Sequence, residues 1–237
     1  MTRGEASNRA DMELIAAVRA ELARLGESKQ AEAMRAYMKS TMPFRGVRAP
    51  QQTGALRALF AAHPLHSADT WRATVLALWR EAGYREERYA ALALLDDRRY
   101  QAYRTLDALP LYEALIVTGA WWDLVDGVAI HRIGELLARY PEPVRAAMLA
   151  WSADADRWKR RTAILCQCAR KGETDETLLF ACLAPNLEDG DFFIRKAIGW
   201  ALREYSKVRP EAVRQYVRAH ADTLSPLSQR EALKHLG

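Results

Sequence analysis

The chain has 237 residues, 50% of them hydrophobic and 27% charged, with only 12 Gly and 9 Pro. That is the composition of a soluble globular protein with length for one extended or two compact domains, and no long uninterrupted apolar run marks a membrane span. The net charge of +5 sits at the ends: residues 1–50 carry nine Lys/Arg against six Asp/Glu and residues 151–237 fifteen against twelve, while the middle is near neutral. Arginine outnumbers lysine, which suits bidentate phosphate recognition. Lys159-Arg160-Arg161, Arg195-Lys196 and Arg203 with Lys207 and Arg209 form the candidate polyanion surface. Three cysteines, Cys166, Cys168 and Cys182, are an odd number and read as reduced thiols. Residues two apart on a helix point about 200° apart, so Cys166 and Cys168 make a poor metal pair and no metal is expected. The start of the chain has no apolar leader core, and the expected compartment is the cytoplasm.

Periodicity predicts helices nearly throughout. Leu14, Val18, Leu22 and Leu25 trace one apolar stripe, closed by Gly26 as a C′ glycine. Met34 and Met38, with Tyr37 nearby, mark a second short helix. Leu56, Leu59 and Phe60 mark a third, ended by His63-Pro64. Ser67 is a natural N-cap for a helix buried through Trp71, Val75, Leu78 and Trp79, and Tyr89, Leu92 and Leu95 form the next stripe. Further helices are expected over 111–119, 122–140, 143–152, 156–171, 175–184, 191–206, 210–220 and 225 to the end. Asp156, Asp175 and Asp191 stand as N-caps, and Pro143 and Pro210 sit where helix starts tolerate proline. No stretch alternates with period two for long enough to support a sheet.

About a dozen short helices with brief connections predict stacked pairs, and a pair spacing of roughly 35–45 residues falls in the range of HEAT and armadillo repeats. The expected fold is therefore all-α, a HEAT-like helical-repeat superhelix with a concave binding face. No linker divides it, so residues 11–237 read as one domain behind a loose segment 1–10. Such folds commonly serve as interaction scaffolds. There is no Gly-rich phosphate loop, H-E-x-x-H or G-x-S-x-G. Any chemistry must come from carboxylates, aromatics and arginines carried on helices.

One block supplies that combination. In Trp121-Trp122-Asp123-Leu124-Val125-Asp126, Trp122 and Asp126 are four residues apart and share one helix face. An indole face and a carboxylate both attract cations, so together they suit a target that is π-rich and positively charged. An aromatic at helical spacing is more often core, but a carboxylate beside it must face solvent or find a partner. Asp123 reads as a first-turn carboxylate favouring the helix dipole. Trp71, Trp79, Trp121, Trp151 and Trp158 read as packing residues.

Two further blocks, Arg157-Trp158-Lys159-Arg160-Arg161-Thr162-Ala163-Ile164-Leu165 and Phe192-Phe193-Ile194-Arg195-Lys196-Ala197-Ile198-Gly199-Trp200-Ala201-Leu202-Arg203-Glu204-Tyr205, follow in order. With the early Ala36-Tyr37-Met38-Lys39 and Phe44-Arg45-Gly46-Val47-Arg48-Ala49-Pro50 segments, the sequence resembles the AlkD-like DNA alkylation repair proteins over roughly residues 12 to 236. Those proteins are HEAT-like-repeat DNA glycosylases. The resemblance implies that Asp126 is the catalytic carboxylate, that Trp122 and Trp200 contact the lesion nucleotide, that Arg161 is an active-site arginine and that Tyr37 contacts DNA. Arg48, Arg195, Lys196, Arg203 and Lys207 are the candidate phosphate contacts. It further implies alkylated duplex DNA as partner, no cofactor and no flipping pocket that encloses the base. The protein is expected to act as a monomer.

The chemistry is coherent. Alkylation at purine N3 or N7 makes the base cationic and a good leaving group, so the enzyme needs negative charge near the sugar rather than a strong general acid. Asp126 would supply it, and Arg161, which does not titrate usefully, is expected to hold a phosphate. A non-catalytic helical-repeat binder of DNA or protein stays open as the alternative. Asp126 discriminates between the two, since a phosphate binder gains nothing from a carboxylate in its groove.

Overall fold

The computed structural model describes residues 9–236. Residues 1–8, most of the expected loose segment 1–10, and Gly237 lie outside them. Among the described residues there are fourteen α-helices, several 3-10 turns and no strand, so the all-α expectation is borne out. Two compact units are present, the first ending at Leu111 and the second starting at Tyr112. No helix among the described residues is long and apolar enough to cross a membrane.

In the first unit, α1 (Met12–Leu25), α3 (Ala49–Ala62), α4 (Ala68–Arg80) and α5 (Arg85–Asp96) pack on one another, with α2 (Ser28–Met38) between α1 and α3 in sequence. Capping explains where they begin. The Asp11 carboxylate accepts from the Leu14 N–H at 2.8 Å, and the Ser67 hydroxyl accepts from the Thr70 N–H at 3.0 Å. Leu14, Val18, Leu22, Leu56, Phe60, Trp71, Val75, Leu78 and Trp79 form the buried side, as their spacing predicts.

The fifth helix departs from its predicted stripe. Tyr89 and Leu92 are only half-buried, while Glu86 and Glu87 are buried with Ala90, Ala91, Leu94 and Leu95. Apolar patterning treats glutamate as a solvent residue, but here each carboxylate has partners that replace water. Glu86 accepts from the backbone N–H groups of Arg45 (2.9 Å), Gly46 (2.8 Å) and Val47 (3.2 Å). Glu87 pairs with Arg19 at 3.3 Å and Arg45 at 3.2 Å, and the Arg45 guanidinium lies 3.8 Å over the Tyr84 ring. The loop between α2 and α3 is thereby clamped onto α5.

Two glycines make that clamp possible. Gly46 has φ +86, and a Cβ there would lie 2.1 Å from the Glu27 carbonyl oxygen. Gly26 closes α1, as expected, but in extended conformation at φ −62 and ψ 142, and its lack of a side chain admits the Arg45 carbonyl, 2.9 Å from where a Cβ would sit.

In the second unit, α6 (Leu109–Gly119) crosses the division, and a long helical rod follows it. This rod comprises α7 (Trp122–Gly127), a π-helical segment (Val128–Ile133) and α8 (Gly134–Arg139), continuous in backbone conformation. Then come α9 (Pro141–Ser152), α10 (Arg157–Leu165), α11 (Glu176–Leu183), α12 (Phe192–Ser206), α13 (Pro210–Ala219) and α14 (Pro226–Ala232). The ninth helix starts at Pro141, not Pro143, because Tyr140 leaves helical conformation.

The expected N-caps are present. Asp156 accepts from the Trp158 N–H, Asp175 from the Leu178 N–H and Asp191 from the Phe193 N–H, at 2.8, 3.0 and 2.7 Å. The tenth helix stops at Leu165 rather than running to Lys171. The Gln167 side chain exchanges two hydrogen bonds with the Asp175 backbone (2.8 and 3.0 Å) and turns the chain into α11. The core of this unit gathers Ala129, Ile164, Leu165, Leu179, Leu183, Ile194, Ile198, Leu202 and Val213.

Gly46→Ala is expected to destabilise the protein by about 1–3 kcal/mol, through steric overlap and a left-handed backbone closed to alanine. Gly54→Ala, where a Cβ within α3 meets nothing inside 4 Å, is expected to stabilise by about 0.4–1 kcal/mol. Denaturant titration of both variants checks the pair.

Candidate active site

The site is built where α7, α10 and the start of α12 come together, and α10 packs against both α7 and α12. Asp126 stands at the end of α7, two residues before the π-helical segment begins at Val128. Such wide turns recur at functional sites because they redirect side chains within a helix. The α10 cap fixes Arg161 opposite it. Arg161 Nε donates to Asp126 Oδ1 and Nη2 to Oδ2, both at 2.7 Å, in a two-pronged pair. Nη1 donates to the Phe193 carbonyl at 2.5 Å, so the first turn of α12 is held to the same guanidinium.

The pair is largely dry. Side-chain exposure is 6% for Arg161 and 13% for Asp126. Burial pushes the Asp126 carboxyl above the usual aspartate range. The hydrogen bonds and charge of Arg161 pull it partly back, and neighbouring Asp123 adds a small upward push. Removing either partner would strand a buried charge, at a cost of about 3–5 kcal/mol.

Phe193, whose carbonyl accepts from Arg161, also belongs to an aromatic cluster. Phe193 packs against Trp121 with ring centroids 5.4 Å apart and against Trp158 at 5.1 Å, and Phe192 meets Phe193 edge-on at 5.6 Å. Trp158 is buried, as its packing reading requires, but Phe192 is 59% exposed and Trp122 is 38% exposed. Trp122 lies one helical turn before Asp126 on the same face of α7. Trp200 is half-buried on α12, seven residues beyond Phe193, which puts both on one side of that helix about 10 Å apart along its axis. Asp126 and Arg161 are thus brought together directly, and Trp122 and Trp200 stand on the helices that hold them.

Arg161 requires a correction. It was expected to hold a phosphate, yet its three guanidinium nitrogens are committed to Asp126 and Phe193 inside the protein. It positions the carboxylate. The neighbouring cations of that cluster are also engaged: Lys159 with Glu113 and Asp154, both at 2.8 Å, and Arg160 with Asp189 at 2.9 Å. A run of basic letters gives net charge but not which carboxylates fold back onto it.

The candidate phosphate contacts divide. Lys196 and Arg203 both reach Glu231 on α14, at 3.0 and 2.5 Å. Arg195 Nε donates to the Asp189 carbonyl at 2.8 Å, and Lys207 is exposed but pairs with Glu204 at 2.6 Å. In the first unit, Tyr37 is 79% exposed on α2, and exposed Arg48 caps the start of α3 at 4.0 Å from Glu27. Phe193, Phe192 and Glu231 were missed as site residues. A backbone carbonyl acceptor has no sequence signal, and a glutamate far along the chain gives no sign of where it folds.

The cysteines are free, and among the described residues no group of three or more His, Cys, Asp or Glu is placed to hold a metal. Burial pushes all three thiols up, Cys182 to about 12.

A family model for DNA alkylation repair enzymes matches residues 18–236. A solved structure described as a predicted DNA alkylation repair enzyme from Enterococcus faecalis is 28% identical to this chain, with a TM-score of 0.81, covering 90% of this chain and 97% of its own. Among curated proteins none matches the chain significantly. With the Asp126–Arg161 pair seated between helices of an all-helical fold, the match across nearly the whole length places the chain in the DNA alkylation repair enzyme family.

Proposed function

We propose that the protein is a monofunctional DNA glycosylase that hydrolyses the N-glycosidic bond of cationic N3- or N7-alkylated purines in duplex DNA. The observation that carries this reading is the buried Asp126 carboxylate, held in one orientation by both arms of Arg161 beside the exposed face of Trp122. A surface that only binds phosphate gains nothing from such a group, whereas a developing sugar cation is stabilised by it.

The steps follow from charge. The C1′–N bond breaks with its electron pair going to the cationic purine, which leaves neutral. Positive charge then develops across C1′ and the ring oxygen, where the Asp126 carboxylate attracts it. Water adds to C1′ and gives its proton to Asp126. Arg161 keeps the carboxylate from rotating away, and a low-dielectric surrounding strengthens its field. Trp122 and Trp200 add cation–π attraction worth about 0.5–2 kcal/mol toward a charged nucleotide. Exposed Tyr37 and Arg48 on the first unit, with the α12 cations on the second, are the candidate contacts to the DNA backbone. The site acts from the cytoplasm on the chromosome as a monomer, without enclosing the base.

Asp126→Asn is nearly isosteric and removes the charge together with one of the two acceptors that Arg161 grips, so single-turnover base release from methylated duplex should fall about 100-fold or more. It also strands Arg161, so a lower melting temperature is expected alongside. Arg161→Lys keeps the charge but not the two-pronged grip. It should slow release roughly 100-fold through misplacement of the carboxylate, with duplex affinity unchanged. Loss of affinity instead would mean that Arg161 touches phosphate.

The pH profile of release should carry an acid limb. Only ionised Asp126 stabilises the sugar cation, and its raised pKa moves the midpoint above the ordinary aspartate value of about 3.9. The rate should therefore fall as pH drops through that midpoint and reach a plateau above it, and the limb should vanish in Asp126→Asn.

Lesion choice tests the charge argument. Cationic 7-methylguanine should be released far faster than neutral hypoxanthine or uracil from matched duplexes. A bulkier cationic purine adduct should be only mildly slower, since a tight pocket is what rejects extra bulk. Efficient uracil release would overturn the mechanism.

A further inference from the structure

Lys196, Gly199 and Arg203 are spaced three and four residues apart, so they line one face of α12. That face packs against α14, and Gly199 is what lets it. A Cβ at Gly199 would lie 2.5 Å from the Glu231 Cβ and 3.0 Å from the Ser228 carbonyl oxygen. Glu231 therefore enters between the two cations. Its Oε1 meets Lys196 Nζ at 3.0 Å and its Oε2 meets Arg203 Nη1 at 2.5 Å. One oxygen per cation, at hydrogen-bond distance, is also how two basic side chains would share a phosphate.

Glu231 is only 17% exposed, while Lys196 keeps 39% of its side chain in solvent. The carboxyl is held below the usual glutamate range, chiefly by its hydrogen bond from Lys196, so it is charged at neutral pH. The cluster then presents a net charge of +1 where the two cations alone would present +2. We infer that Glu231 is a specificity-determining residue: its carboxylate takes the place of a DNA phosphate on Lys196 and Arg203 and so weakens the hold on undamaged duplex. This rests on the DNA reading above, in which α12 faces the DNA backbone.

The consequence for a repair enzyme is physical. Phosphate contacts are blind to sequence and to damage, so each one raises affinity for every undamaged site equally. Withholding one shortens the stay on intact DNA and leaves discrimination to the groups that sense the lesion's charge. Glu231 sits on a different helix from the Asp126–Arg161 pair, so the two effects are separable by mutation.

The test is binding of wild type and Glu231→Gln to an undamaged duplex across a salt series, with circular dichroism confirming the fold. The variant should bind about eightfold more tightly at 0.1 M salt, and its log–log salt slope should steepen by about 0.9, the signature of one added phosphate contact. Lys196→Gln should cost more affinity in the Glu231→Gln background than in the wild-type background, the difference amounting to most of that gain. Glu231→Asp, which shortens the reach but keeps the charge, should fall between and serves as the readout should Glu231→Gln not fold. Equal or weaker binding by Glu231→Gln, with wild type binding duplex normally, would overturn the inference and leave the DNA reading standing. Wild type showing no salt-dependent duplex affinity would overturn both.

Discussion

The two-pronged pair between Arg161 and Asp126 is the interaction on which the rest of the site depends. A carboxylate that shows only 13% of its side chain to solvent has lost most of its hydration, and only a close cation with matching geometry can keep it ionised there. Arg161 is suited to this because its planar fork fits both oxygens at once and cannot lose its charge. The same guanidinium takes the Phe193 carbonyl, so the orientation of Asp126 and the seat of α12 are one constraint. Local choices in sequence serve it: Asp156 starts α10, Asp191 starts α12, and the π-helical turn after Gly127 sets the path of the helix beyond the carboxylate.

An aromatic cluster is tied to the pair through the backbone. Trp121 and Trp158 both pack on Phe193, whose carbonyl accepts from Arg161, and the low exposure of the ion pair strengthens its field. Trp122 and Phe192 are left open to solvent beside it. An exposed tryptophan and phenylalanine cost hydrophobic burial, and such surfaces on a protein usually mark where something binds. A charged, flat nucleotide is the kind of ligand that both the carboxylate and the open rings can hold.

The basic character of the chain is more restrained than its arginine count implies. Lys159, Arg160, Arg161, Lys196, Arg203 and Lys207 are all answered by carboxylates within the fold. Half-buried pairs of this kind fix helix positions more than they add stability. They also lower the field that a polyanion would meet. The first unit applies the same device to its own loop, where Glu86 gathers three backbone N–H groups and Glu87 two arginines.

The helical class, most helix starts and the face shared by Trp122 and Asp126 were legible in the sequence. They are set by short-range physics: the 3.6-residue period, a side-chain oxygen three residues before an N–H, and four-residue spacing on one turn. The three motif blocks likewise named Asp126, Arg161 and Trp200 before any geometry, although their roles came from resemblance. Tertiary structure alone decided the partners. That Arg161 grips Asp126 rather than a phosphate, that Glu231 reaches back across α12, and that Glu86 and Glu87 are buried all follow from contacts between residues about 30 to 70 positions apart in the chain. Charge is long-ranged and unlabelled in a sequence, so which carboxylate answers which cation is settled only when helices are packed. For the same reason Gly26, which reads locally as a helix end, and Gly199, which carries no local signal, are understood only through the backbone and side chain pressed against them.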